Sequence, residues 1–441
     1  MLRLIYRALW LLIAPVAVIR LYVRSRKERG YREHIGERFG AVEGRPADDR
    51  KRLIWLHAVS VGETRAAQPL VEALLAAHPE VRFLITHMTP GGRATSEALF
   101  GNRVMRCYLP YDFPWFVRRF LRAWRPALGI VMETEVWPTL IDECRRHTIP
   151  LVLANARMSQ RSYKRADRFG RATREVFGGF TRVLAQSPSD AERLHALGAR
   201  EVAVLGNLKF DMTAPDALIE RGHFWRKAFG RTHVWVAAST RDGEEALLIE
   251  AAKRIASGVP GGNASGNAID DALLVLVPRH PQRFDEVANL LEREGLSYVR
   301  RSQWTAGADS LDAASRDGRR VQVLLGDSMG ELPAYYAAAD AAFIGGSLLP
   351  LGGQNLIEAC AVGTPVLFGP HMFNFTQASA DALAAGAAIQ VQDQAALADA
   401  LRGLFSDEAR QVSMSGAASA FAARHRGATQ RTVAVLDTFL R

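Results

Sequence analysis

The segment 343–370, FIGGSLLPLGGQNLIEACAVGTPVLFGP, has the residue types and spacing of an anion site. An apolar run ends in glycines, a Gly-Gly-Gln-Asn turn opens a helical stretch carrying Glu358, and Gly363-Thr364-Pro365 leads into another apolar run. Strand, glycine loop, helix and strand in that order let the backbone approach a phosphate closely, with the N–H groups at the helix start directed at it. Asn355 falls at the expected N-cap and Glu358 lies three residues on. Both side chains then either face a ligand or form an ordinary capping box.

Other strand-like runs also end in ionisable side chains. LIWLHAVS leads into Val61-Gly62-Glu63-Thr64, which sets Glu63 at a glycine turn on the carboxyl side of a strand. A carboxylate there can take a proton from a hydroxyl, assistance worth on the order of 10²–10⁴ in rate, or it can merely favour the start of the next helix. Met132-Glu133-Thr134-Glu135-Val136-Trp137-Pro138 follows LGIV and puts two acids just before a proline suited to a first helical turn. A continued strand would hold Glu133 and Glu135 on one side, whereas a turn would separate them. In Gly206-Asn207-Leu208-Lys209-Phe210-Asp211, Lys209 can neutralise a phosphate or carboxylate, with Asp211 as its partner or as a cap.

The second half repeats this logic in Ala238-Ser239-Thr240-Arg241-Asp242-Gly243-Glu244, in Pro278-Arg279-His280-Pro281 and in Gly326-Asp327-Ser328-Met329-Gly330-Glu331. Arg241 and Arg279 can make charge-assisted bonds to a phosphate. The backbone around Met329 and Gly330, with Glu331 beside it, can read a base edge, and Glu358 can accept from ribose hydroxyls. Asp-x-Asp, His-Glu-x-x-His and Cys-x-x-Cys are all absent, as are a Walker A loop and a Gly-x-Gly-x-x-Gly after a first strand. Neither a metal ion nor a resident cofactor has support in the sequence.

These strand ends need a scaffold, and the hydrophobic pattern supplies one. LIWLHAVS, RFLITHM, LGIVMET, PLVLANAR, RVLAQS and VAVLGN read as strands separated by helices, followed by HVWVAAST, LLVLVPR, SYVRR, VQVLLG, AAFIGG and PVLFG. Continuous apolar strands alternating with helices predict α/β architecture with parallel sheets covered on both faces. The boundaries suggest two doubly wound, Rossmann-like domains over 51–215 and 225–441, facing each other across a cleft. The polar, glycine-rich stretches SGVPGGNASGNAIDD and TAGADSLDAASRDGRR read as surface loops. Ligands of such sheets bind beyond the carboxyl ends of the strands, where the ionisable groups above fall.

At 441 residues, with 48% hydrophobic and 23% charged residues, the chain is a folded globular protein of about two domains. Its formal charge of +10 favours an anionic surface or substrate. The basic residues are dispersed and no aromatic-basic module occurs, which argues against nucleic acid. Three scattered cysteines suit a reducing compartment. Near the start, Arg7 and Arg20 bracket the uncharged run ALWLLIAPVAVI, and RSRKERGYREHIGERFG follows. This pattern predicts a membrane-anchoring helix over 1–24, spanning or interfacial, with a basic juxtamembrane segment over 25–50. The positive-inside rule leaves the remainder on the cytoplasmic side.

Taken together, the chain resembles the 3-deoxy-D-manno-octulosonic acid (Kdo) transferases of Gram-negative bacteria. The resemblance rests on YREHIGERFG, HAVSVGET, YLPYDFP, METEVWP, NARMSQRSY, GNLKFD, ASTRDGEE, VPRHPQRF, GDSMGELPAYYAAAD and GGSLLPLGGQNLIEA, in family order from the N-terminus past Phe375. One departure is Thr89-Pro90-Gly91-Gly92 in place of the family's common Thr-Pro-Thr-Gly, which removes a hydroxyl. The resemblance implies a GT-B glycosyltransferase, metal-independent and inverting, that moves Kdo from CMP-Kdo to the lipid A precursor lipid IVA in lipopolysaccharide synthesis. It places the enzyme at the inner membrane, in contact with anionic lipid. It also implies Glu63 as general base, Glu133 and Lys209 as transition-state stabilisers and Glu135 beside them. Arg241, Pro278, Arg279, Met329, Gly330, Glu331, Asn355 and Glu358 would then form the CMP site. A GT-B enzyme acting on another nucleotide sugar would keep the second-half motifs without needing the anchor or HAVSVGE. A membrane-bound scaffold would leave the strand-end acids idle.

Overall fold

The computed structural model describes residues 19–440 apart from 27–28, 47, 213, 258–268, 270, 306–309 and 316–317. Residues 1–18 of the expected anchor lie outside the described residues, as does most of the glycine-rich segment 257–271. Among the described residues no helix is long and apolar enough to cross a membrane.

The chain forms two units. One runs to Met212 and takes in the chain again from Arg426; the other lies between them, up to His425. The first unit is built on a seven-stranded sheet of β1 (Leu53–His57), β2 (Arg82–His87), β3 (Met105–Tyr108), β4 (Leu128–Met132), β5 (Leu151–Ala156), β6 (Arg182–Ala185) and β7 (Val202–Val204), in the order β3-β2-β1-β4-β5-β6-β7. All its pairings are parallel. The strand residues are apolar on both faces because helices cover both, and β1, β4 and β5 are buried at every position. Gly129 in β4 makes room for Trp55: a Cβ there would stand 2.9 Å from the indole ring.

The second unit carries β8 (His233–Thr240), β9 (Ala272–Pro278), β10 (Tyr298–Arg300), β11 (Val323–Leu325), β12 (Ala341–Ile344), β13 (Val366–Phe368) and β14 (Ala388–Gln390), in the order β10-β11-β9-β8-β12-β13-β14. Its pairings are also parallel. In each sheet the first strand borders the point where the order reverses, between β1 and β4 and between β8 and β12. That is where doubly wound sheets take their ligands.

Two expectations need correction. Residues 426–441, expected in the second domain, belong to the first unit: the helix Ala428–Leu436 buries Ala428 and Leu436 in the core beside Leu56, Leu70 and Leu74. The segment over 25–50, expected to be basic and juxtamembrane, does not stand apart from the first unit. Glu37 accepts from Tyr108 N–H (2.7 Å) and pairs with Arg93 (3.0 Å), while Arg38 is buried with its guanidinium 3.9 Å from the Tyr108 ring centroid. The second polar stretch is not wholly a surface loop either, since Leu311 is buried and Asp312 accepts from Arg231 and from Val321 N–H.

Candidate active site

Glu63 stands in the first turn of the helix Val61–Ala77, which starts directly beyond β1. Its Oε2 accepts from Val59 N–H (2.8 Å) and its Oε1 lies 3.4 Å from Ser60 Oγ. Burial is the main cause that pushes its carboxyl up to about 8; the charges of Glu133 and Glu135 add to the rise, and the Val59 hydrogen bond opposes it. The peptide that holds Glu63 is itself held. Val59 O accepts from Met88 N–H, Thr89 N–H and the Thr89 hydroxyl, and His87 Nδ1 lies 2.8 Å from Ala58 O.

At the end of β4 the strand stops at Met132 and Glu133 turns left-handed, with φ 56°. That conformation is uncommon outside glycine and typically costs of order 1–3 kcal/mol. The Glu133 N–H still bonds Ala154 O (2.9 Å), so the turn begins one residue beyond the sheet. The two acids therefore separate. Glu133 Oε1 lies 2.9 Å from Lys209 Nζ, an ion pair without hydrogen-bond geometry, whereas Glu135 accepts from the Trp137 indole N–H (3.0 Å). Burial first, with Glu133's charge adding to it, raises the Glu135 carboxyl above its usual range.

A second left-handed residue positions Lys209. Asn155, buried in β5 at φ 52°, interrupts the register with β6 and accepts from Leu208 N–H (3.0 Å) through its side chain. Asn207 Oδ1 accepts from Lys209 N–H (3.0 Å). Asp211 is a cap rather than Lys209's partner: it accepts from Gly427 N–H (2.6 Å) and Thr429 N–H (2.5 Å). Three carboxylates and one lysine thus gather at the carboxyl edge of one sheet.

Two histidines at the same edge were not singled out from sequence. His57 and His87 end β1 and β2, and burial lowers them to about 3 and about 4, so both are neutral in the physiological range. Among the described residues their Nε2 atoms have no hydrogen-bond partner. A histidine closing an apolar strand was the available signal.

In the second unit the expected donor residues fall at consecutive strand ends. Ser239 is left-handed (φ 58°) and shifts the β8–β9 register just before Thr240 and Arg241. Pro278 ends β9, and Arg279 donates its N–H to Thr240 O (3.0 Å). Among the described residues no salt bridge holds Arg241 or Arg279, and with Arg283 they help lower His280, after burial. Met329 is 58% exposed and Gly330 has φ 83°. Glu331 is held by Arg221 (2.9 Å), Arg301 (3.0 Å) and the Ser328 hydroxyl (2.6 Å). Asn355 Oδ1 accepts from Ile357 N–H (3.1 Å), and its amide donates to Glu358 (2.9 Å). Leu356, not the expected Asn355, is the N-cap of the helix that follows, which has only five residues, Ile357–Ala361. Gly345 must be glycine for the loop beyond β12 to pass the left-handed turn: a Cβ would stand 2.6 Å from Ser239 O.

Comparison with known proteins supplies the family. Residues 33–212 match the family model described as 3-deoxy-D-manno-octulosonic-acid transferase, and residues 310–421 match glycosyl transferases group 1. The chain is 45% identical over 434 residues to the 3-deoxy-D-manno-octulosonic acid transferase of Bordetella pertussis, covering 97% of each. It is 33% identical to the enzyme of that name from Haemophilus influenzae, over 99% of each chain. Among solved structures, a glycosyltransferase from Rickettsia africae is similar at TM-score 0.58 and 12% identity, over 89% of this chain and 99% of that one. The UDP-GlcNAc 2-epimerase from Neisseria meningitidis gives 0.57 and 14%, over 88% of this chain and 100% of that one. At such identities these two show the fold alone, that of GT-B proteins.

Proposed function

The chain belongs to the 3-deoxy-D-manno-octulosonic acid transferase family of glycosyltransferases acting in lipopolysaccharide synthesis, and from that premise we propose that it transfers Kdo from CMP-Kdo to lipid IVA by a metal-independent, inverting displacement. The observation that carries this reading is Glu63, a partly buried carboxyl raised to about 8 at a strand's carboxyl end, beside two further acids. Burial makes it a stronger base than an exposed glutamate, matched to a hydroxyl acceptor near neutral pH.

In the proposed step Glu63 takes the proton of the acceptor's primary hydroxyl. The hydroxyl oxygen bonds the anomeric carbon of Kdo, and the bond from that carbon to the CMP phosphate oxygen breaks with its electron pair leaving on CMP. The anomeric carbon becomes oxocarbenium-like and the leaving group gains negative charge. Glu133, oriented by Lys209, favours the positive centre, and Arg241 and Arg279 favour the departing phosphate, so no divalent ion is needed. Met329 and Gly330 would meet the cytosine; Pro278, Glu331, Asn355 and Glu358 would shape the rest of the donor site. Anchoring at the cytoplasmic face of the inner membrane would bring this chemistry to its lipid acceptor, in keeping with the net charge of +10.

The test is transfer from CMP-Kdo to tetraacylated lipid IVA in detergent with EDTA, followed by assignment of the anomeric configuration in the product. Product of inverted configuration is expected. A requirement for added Mg²⁺, or retention, would overturn the mechanism. Arg279→Ala should raise the dissociation constant for CMP about ten-fold; unchanged affinity would remove Arg279 from the donor site.

A further inference from the structure

In the first unit a mainly apolar groove of about 940 Å³ opens among the helices Pro138–Arg146, Gln160–Asp167 and Arg171–Phe177. Its size is at the upper end of the roughly 300–1,000 Å³ usual for ligand sites. Thr134 and Val136, which flank Glu135 in sequence, form one wall, while Met158, Ala166, Ala172 and Phe177 contribute apolar surface. Phe169 belongs to the same lining yet is 60% exposed. Nothing in the chemistry of the acids accounts for this space.

The charge of the lining segment narrows the occupant. Residues 160–174 carry Arg161, Lys164, Arg165, Arg168, Arg171 and Arg174 against the single carboxylate of Asp167. Arg171 pairs with Glu175 (3.0 Å), but among the described residues no salt bridge holds Arg161, Lys164, Arg165 or Arg168. The lining carboxylates Asp142 and Glu175 are met by Arg145, Arg146 and Arg171, which leaves Arg165 as the lining cation outside a salt bridge among the described residues. Apolar walls with such a cation suit a hydrocarbon chain attached to a phosphate. Because the wall is shared with the loop that carries Glu133 and Glu135, a chain seated here holds its headgroup beside the acids. We propose that this groove receives an acyl chain of the phosphorylated glycolipid acceptor, with Arg165 and its neighbours on a phosphate. The assignment rests on the acceptor reading above. Bulk phospholipid would leave the shared wall without a purpose.

The groove can be filled after folding. Cys107, Cys144 and Cys360 are buried, so Ala172→Cys offers one accessible thiol to octyl methanethiosulfonate, and dithiothreitol removes the plug. The plugged variant is compared with the same variant unplugged, on tetraacylated lipid IVA and on its fully deacylated bisphosphate. The plug is expected to raise KM for the acylated acceptor at least ten-fold relative to the deacylated one, with reductant restoring the ratio. An unchanged ratio, whether neither KM moves or both rise together, overturns the groove. Direct binding of tetraacylated lipid IVA is measured in parallel, against phosphatidylglycerol vesicles. Plug-sensitive binding without turnover would remove the transferase reading and keep the groove. Equal loss of vesicle binding would assign it to membrane lipid and overturn the acceptor assignment.

Discussion

Glu63 and Glu244 occupy corresponding places in the two units and have different fates. Each stands in the first turn of the helix after the first strand of its sheet, beside the reversal of strand order. Burial raises both carboxyls. Glu244 then accepts from four backbone N–H groups, of Gly346 (2.6 Å), Ser347 (3.0 Å), Leu348 (3.1 Å) and Arg241 (3.3 Å). Its hydrogen-bonding capacity is consumed in shaping the glycine loop beyond β12. Glu63 accepts one backbone N–H and faces two other acids. The same topological position thus yields a carboxylate tied into a loop in one unit and one with fewer hydrogen bonds in the other, where it is proposed as the base, and the difference lies in what surrounds the carboxylate.

The largest expected effect breaks the comparison on the catalytic side. Glu63→Gln should lower kcat/KM about 10²–10⁴-fold while CMP affinity stays near wild type; full activity would end its assignment as base. Next, the wild-type kcat/KM should climb about ten-fold per pH unit below about 8 and level off above it, because the carboxyl must lose its proton to act. A profile flat from pH 6 to 9 would refute this. On the structural side, Glu244→Gln removes a charged acceptor from several N–H groups, an effect of about 1.5–3 kcal/mol. The second unit's melting midpoint should fall by roughly 5–10 °C; no change would mean the loop is held by something else.

A pH series sharpens the contrast. Native Glu63 keeps its proton to about 8, whereas an unfolded glutamate releases it near 4.5. The folded form therefore binds more protons between those values, and wild type loses stability as pH rises through that window. Glutamine has no such dependence. The midpoint of Glu63→Gln relative to wild type should rise between pH 5 and pH 9, by roughly 10 °C, and a constant difference would count against the raised carboxyl.

Much of this was legible in the sequence, for reasons that also explain the gaps. Strands buried on both faces, such as β1, β4 and β8, write themselves as unbroken apolar runs. The edge strands β3 and β14 do not, and neither was expected: MRCY mixes polar with apolar residues, and AIQ is three residues long and partly exposed. Strand ends pointed to Glu63, Glu133 and Lys209 because parallel sheets present their carboxyl edges to ligands. Sequence could not decide between Glu133 and Glu135, since the decision rests on one left-handed residue that no glycine announces. The assignment of 426–441 was hidden for a different reason. An amphipathic helix declares that it has an apolar face, not which core that face will meet.

That last segment also orders events during synthesis. Asp211 and Leu205 O wait for Gly427, Thr429 and Arg431, and Asp437 pairs with His78. Topologically the second unit is an insert, with the polypeptide leaving its host after residue 212 and returning at 426. A ribosome delivers the host's sheet first and its closing helix last. The half of the molecule that begins folding earliest is completed only when residues 426–440 emerge.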